Sequence, residues 1–113
     1  MRRGNERLVE LTVEIGGHQQ ARENEITRVC MVEWAFRNDD FYHRPTDDGK
    51  DQLLEASALG TLYASDELDD IIQRMERAIW RANGGMCHVE VRAMNLGNPP
   101  EWNAAIESEP QVA

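Results

Sequence analysis

The densest group of residues that could carry chemistry lies between Asn38 and Lys50, where carboxylates, an imidazole and a phenol occur within a few positions. Asp40, Tyr42 and His43 would suit acid–base work at the mouth of a small-molecule pocket between helix and sheet. The same composition is typical of a solvated loop whose Asp side chains bond their own backbone. We favour the loop, and keep the pocket of a small-molecule-binding protein or small enzyme as the alternative hypothesis.

The three histidines, His18, His43 and His88, do not have the spacing of a metal site, because no His-x-x-x-His or Cys-x-x-Cys pair is present. Cys87 and His88 are adjacent on a predicted strand, where neighbouring side chains point to opposite faces. The glycine-rich phosphate motifs and the Gly-x-Ser-x-Gly nucleophile motif are also missing. We therefore expect no metal and no cofactor, and we lean against an enzyme.

The net charge of −9 is concentrated in one segment, since residues 39–70 hold ten acidic side chains and only two basic ones. Such a field repels nucleic acids and anionic membranes and attracts basic surfaces. We expect a basic protein partner, for example a nucleic-acid-binding face masked by an inhibitor from a phage or mobile element, and no direct binding to nucleic acid or membrane. An acidic surface that only maintains solubility is the simpler explanation.

The predicted partner-binding residues are the acids of this segment and one tryptophan. Trp80 is included because it lies beside the charged side of a predicted helix, where it either covers the rim of the core or anchors a contact. The full set is Asp39, Asp40, Asp47, Asp48, Asp66, Glu67, Asp69, Asp70 and Trp80.

The stretch from Ala64 to Leu96 carries the clearest structural pattern. Ser65 suits a helix N-cap, and apolar residues from Leu68 to Ala82 recur at helical spacing on one face. Asn83-Gly84-Gly85 then predicts the helix end, and the period changes to two from Cys87 onward, which predicts a strand.

Two more strands are predicted before this stretch. The first has Val9, Leu11, Val13 and Ile15 on one face and polar residues on the other. The second, over residues 26–37, has apolar residues on both sides, which predicts a strand covered on both faces. Its second face, formed by Val29, Met31 and Ala35, must then be covered by the middle segment of the chain or by a second subunit, and we predict a homodimer through this face.

A short helix is predicted over residues 51–59, after the loop, from the spacing of its leucines and alanines. The expected fold class is α+β, with a small, mainly antiparallel three-stranded sheet and one main amphipathic helix on one face, in the order β-β-(α)-α-β. At 113 residues the chain is expected to be a single domain, with loose termini at residues 1–5 and 101–113.

The location is expected to be cytoplasmic, because no secretion signal or membrane-spanning apolar run is visible. Cys30 and Cys87 both fall on apolar faces of predicted strands. In a reducing compartment we expect them to be buried thiols rather than a disulfide.

Overall fold

The computed structural model describes residues 6–63 and 68–97. These residues form a four-stranded antiparallel sheet, with strand order β2-β3-β1-β4, and two α-helices. The elements are β1 (Glu6–Gly16), α1 (Glu23–Glu33), β2 (Tyr42–Pro45), β3 (Gln52–Tyr63), α2 (Leu68–Asn83) and β4 (His88–Gly97). Because β1 and β2 run in the same direction with β3 between them, the chain has the split β-α-β topology of ferredoxin-like folds.

The core lies between one face of the sheet and the two helices. Val9, Leu11, Val13 and Ile15 of β1 are completely buried there, which confirms the first predicted strand. They pack with residues of the helices and of β3: Ile26, Cys30, Leu54, Ala56, Leu62, Ile71, Met75 and Ile79. The opposite side of the sheet, called the outer face below, carries the alternate residues of each strand.

The main predicted helix and its end are confirmed by α2. Gly84 adopts a positive φ of 84°, and its amide donates to the carbonyl of Trp80. Asn83 is 4% exposed and ties this end of α2 to the loop after β1, because its Oδ1 accepts a hydrogen bond from the backbone N–H of Gln19 at 2.8 Å. The predicted N-cap, Ser65, lies outside the described residues.

The α+β class is confirmed, but three details of the predicted fold are wrong. Residues 26–37, predicted as a strand, contain most of α1, and residues 51–59, predicted as a helix, lie in β3 from Gln52 onward. The loop before β3 contains the short strand β2, so the sheet has four strands rather than three. Leucine, alanine and glutamate favour helices locally, but in β3 tertiary pairing with β1 decides the structure.

The helical state of α1 also removes the reason for the predicted dimer face. In a helix, alternate residues do not share a side, and Val29 and Met31 pack partly against the core. Ala35 lies beyond the end of α1 and is exposed. The alternating arrangement that motivated this interface is therefore absent, and the interface itself stays a prediction.

Candidate functional site

Three carboxylates lie side by side on the outer face of the sheet. The register places Glu55 of β3 opposite Glu14 of β1, and Glu14 opposite Glu90 of β4. Tyr42 of β2 extends the same row, because it pairs with Glu55. Directly opposed residues in antiparallel strands have Cβ atoms about 4.5–5.5 Å apart, and like charges at that separation are unfavourable. The row therefore needs compensating charge.

Two arginines supply that charge, and a histidine lies within hydrogen-bond distance of one of the carboxylates. Arg44 donates from Nη2 to Glu14 at 2.8 Å and from Nε to Glu55 at 3.1 Å, so one guanidinium bridges two carboxylates. Arg92 pairs with Glu90 at 3.1 Å, and His88 Nε2 lies 2.9 Å from Glu14. We call these residues the outer-face network: Glu14, Tyr42, Arg44, Glu55, His88, Glu90 and Arg92.

Within the network, the pKa values of Glu55 and Tyr42 are shifted in opposite directions. The hydrogen bond from Tyr42, at 2.6 Å, is the main cause that lowers the pKa of Glu55, with Arg44 adding to it. The same hydrogen bond raises the pKa of Tyr42. A general acid or base works best with a pKa near the working pH, and these shifts lead away from it. The geometry therefore suits ion pairing better than proton transfer.

Among the described residues, Glu14, His88 and Glu90 form the set that comes nearest to a metal site. One ligand atom from each lies within 4.8 Å of the others, and carboxylate oxygens with an imidazole nitrogen suit zinc or manganese. Both carboxylates already have cationic partners, however: Arg44 for Glu14 and Arg92 for Glu90. A bound cation would have to displace or repel these guanidinium groups.

A second cluster, on the helix side of the sheet, joins two histidines through one carboxylate. Glu23 at the start of α1 places one oxygen 2.9 Å from His18 and the other 2.7 Å from His43. Burial acts to raise the pKa of Glu23, but the hydrogen bonds with His18 and His43 outweigh it and the pKa is lowered. This cluster anchors α1 to β2 and to the loop after β1.

The structure does not bring the predicted pocket residues together. Tyr42 and His43 are neighbours on β2, so their side chains lie on opposite faces of the sheet, with Glu55 and Glu23 as their respective partners. Asp40 instead accepts from the backbone amide of Arg37 at 2.8 Å.

The predicted acidic contact residues are divided among separate places. Asp39 and Asp40 lie in a 3-10 turn after α1, and Asp47 and Asp48 lie in the turn between β2 and β3. Asp47 and Asp48 line a shallow depression of about 300 Å³ together with Thr46 and Asp51. Asp66 and Glu67 lie outside the described residues.

Asp69 and Asp70 lie in the first turn of α2, far from the β2–β3 turn. Asn83, at the other end of α2, lies near the end of β1 and the start of β3. At about 1.5 Å per residue, Asp69 is roughly 20 Å from Asn83 along the helix. Trp80 is half-buried, and its Nε1 donates to the Cys87 carbonyl at 2.9 Å.

The acidic residues differ in how they are paired. The glutamates that face basic side chains form ion pairs: Glu14, Glu23, Glu25, Glu33, Glu55 and Glu90. In the described part of the chain, the aspartates form none: Asp39, Asp40, Asp47, Asp48, Asp51, Asp69 and Asp70. The uncompensated negative charge in this part therefore lies mainly on exposed turns and the start of α2.

The fold thus defines a small ferredoxin-like α+β protein with an ion-paired outer face and unpaired aspartates elsewhere. Comparison with protein-family models, curated proteins and solved structures finds no match to this chain. Among the described residues, neither helix has the length and apolar character needed to cross a membrane.

Proposed function

We propose that this chain is a non-enzymatic interaction protein that binds a basic protein surface through its aspartate clusters. The observation that carries the proposal is that none of the aspartates of the described chain forms an ion pair, whereas six of its nine glutamates do. An unpaired surface carboxylate keeps its full charge available for a partner. A net charge of −9 adds long-range attraction that speeds encounter with basic surfaces.

The state of the outer-face network supports a binding role over catalysis. Glu55 has a lowered pKa and Tyr42 a raised one, so neither changes its protonation near neutral pH. The basic partner is a protein whose positive surface normally binds nucleic acid, and which this chain would cover. Cys30 and Cys87 are free thiols, in keeping with the cytoplasm, where we expect the chain to act.

Two clusters are separate candidates for the contact. The tip cluster, Asp47 and Asp48, lies in the β2–β3 turn, and the helix cluster, Asp69 and Asp70, lies at the start of α2. A standard interface buries about 800 Å² on each partner, which is a patch about 30 Å across. One end of the molecule can therefore supply the whole contact. Variants of each cluster identify which cluster binds the partner.

The test compares three double variants that each remove two negative charges. Asp47→Asn with Asp48→Asn alters the tip cluster, and Asp69→Asn with Asp70→Asn alters the helix cluster. The control, Glu10→Gln with Glu25→Gln, removes two charges on β1 and α1, which carry neither cluster. A partner identified from a lysate at low salt is purified, and its Kd for each variant is measured by calorimetry at two salt concentrations.

We expect one aspartate variant to weaken binding about tenfold or more, which corresponds to about 1.4 kcal/mol, while the control changes little. Wild-type affinity should also fall as salt rises, because exposed charges are screened. Equal affinities for all three folded variants, or salt-independent binding, would rule out the aspartate clusters as the contact.

A further inference from the structure

The strand β4 has an outer edge without a strand partner in the described part of the chain. It is the last strand in the order β2-β3-β1-β4 and is ten residues long. At the other edge, β2 has only four residues and ends in Pro45, which has no amide hydrogen to donate. A long edge strand is a ready template for pairing with another chain, and β4 contains no proline that would block it.

Glu90 and Arg92 of β4 can face each other across two copies in one antiparallel register. If two copies pair around a two-fold axis at Val91, Glu90 of each copy lies opposite Arg92 of the other. Moving the axis to Glu90 places the two copies of that glutamate opposite each other, and moving it to Arg92 does the same for that arginine. Opposite charges directly across strands stabilise the pair and like charges destabilise it, so the Val91 register is favoured.

The other side of β4 supports the same register. Val89 and Val91 are half-buried, and Ala93 is exposed, on the side that faces the helices. Pairing around Val91 would place Val89 opposite Ala93 of the second copy and Val91 opposite its own copy. Each of these apolar side chains would then lose contact with water.

We propose that β4 is a homodimer interface, in which two copies join their sheets edge to edge into one eight-stranded sheet. A two-fold axis perpendicular to the sheet keeps the helices of both copies on the same side. The β2–β3 turn, which carries Asp47 and Asp48, stays exposed because it is at the opposite edge of each sheet. The proposal is therefore independent of the basic partner.

The test uses the full chain and its state of association by light scattering and sedimentation over a range of micromolar concentrations. In the Val91 register, Glu90→Arg places an arginine at position 90 opposite Arg92 of the other copy, and this happens twice because of the two-fold axis. Arg92→Glu likewise places a glutamate at position 92 opposite Glu90 of the other copy. The double variant, Glu90→Arg with Arg92→Glu, restores opposite charges across the interface. Thermal melts of all variants show whether the fold is retained.

We expect a wild-type dimer, an increase of about tenfold or more in the dissociation constant of each single variant, and recovery in the double variant to near the wild-type value. A wild-type monomer would overturn the proposal. A dimer unaffected by either single variant would overturn it too, since the contact would then use another surface.

Discussion

The indole ring of Trp34 lies directly against the backbone of Gly60 on β3. Its Nε1 donates a hydrogen bond to the Ala58 carbonyl at 3.0 Å, which holds the ring across the strand. A Cβ atom at Gly60 would lie only 2.6 Å from Cζ2 of the ring. Gly60 is therefore required because any side chain would occupy the space of the tryptophan.

Replacing Gly60 with alanine is expected to destabilise the protein by about 1–3 kcal/mol, because the rigid ring must shift and its hydrogen bond is strained. Denaturant unfolding followed by tryptophan fluorescence measures the change. Gly85→Ala is the matched control, since a Cβ there meets no atom within 4 Å. Equal stability of the two variants would show that Trp34 moves at no cost.

Removing the charge of Glu55 is expected to lower stability and to change its pH dependence. Glu55→Gln weakens the bonds with Tyr42 and Arg44, at a cost of about 1–2 kcal/mol at neutral pH. Because its pKa is lower in the folded protein than in the unfolded chain, its contribution is present above the unfolded pKa of about 4.3 and is lost as pH falls through the folded value.

The free energy of unfolding between about pH 6 and pH 3 is the measurement, since this window includes the ordinary glutamate pKa. The stability of Glu55→Gln should fall less steeply with acid than that of the wild type. Glu10→Gln is the control, because Glu10 is on the same face of the sheet without an ion pair in the described chain. Parallel curves for wild type and Glu55→Gln would contradict the proposed role of this carboxylate.

Loss of the Asn83 side chain is expected to detach the end of α2 from the loop after β1. Asn83→Ala removes the side chain that bonds the backbone N–H of Gln19 and the carbonyl of Gly85. We expect this to lower the free energy of unfolding by about 1–3 kcal/mol. Gln73→Ala, at an exposed position of the same helix, should change stability by less than about 0.5 kcal/mol. Thermal melts compare the two, and a cost no larger for Asn83→Ala would contradict this anchoring.

The two thiols are expected to differ in reactivity. Burial raises the pKa of Cys30 to about 12, so almost no thiolate is present near neutral pH. Burial also raises the pKa of Cys87, but this side chain is half-buried and should react first with a thiol reagent. Mass spectrometry of labelled native protein should find label on Cys87, with Cys30 labelled only after unfolding. Rapid native labelling of Cys30 would contradict the packing of α1.

The positions of β1, α2 and β4 can be predicted from the sequence alone. Each of these elements has apolar residues on one side only, so their spacing along the chain shows whether the segment is a strand or a helix. The secondary structure of residues 26–37 cannot be predicted in this way, because apolar residues at successive positions hide the helical spacing of Ile26 and Cys30. Val32 is 78% exposed on α1, and no local rule distinguishes it from its buried neighbours. Only packing against α2 and the sheet decides which side of this segment is buried.

The outer-face network likewise has positions that the sequence predicts and contacts that it does not. Alternation in the sequence already placed Glu14, His88, Glu90 and Arg92 on the polar sides of their strands. It could not place Glu55 beside Glu14, because that contact depends on β3 pairing with β1 across a long separation in the chain. Strand order and register arise from burial of the whole apolar face at once, so the complete fold sets which charges become neighbours.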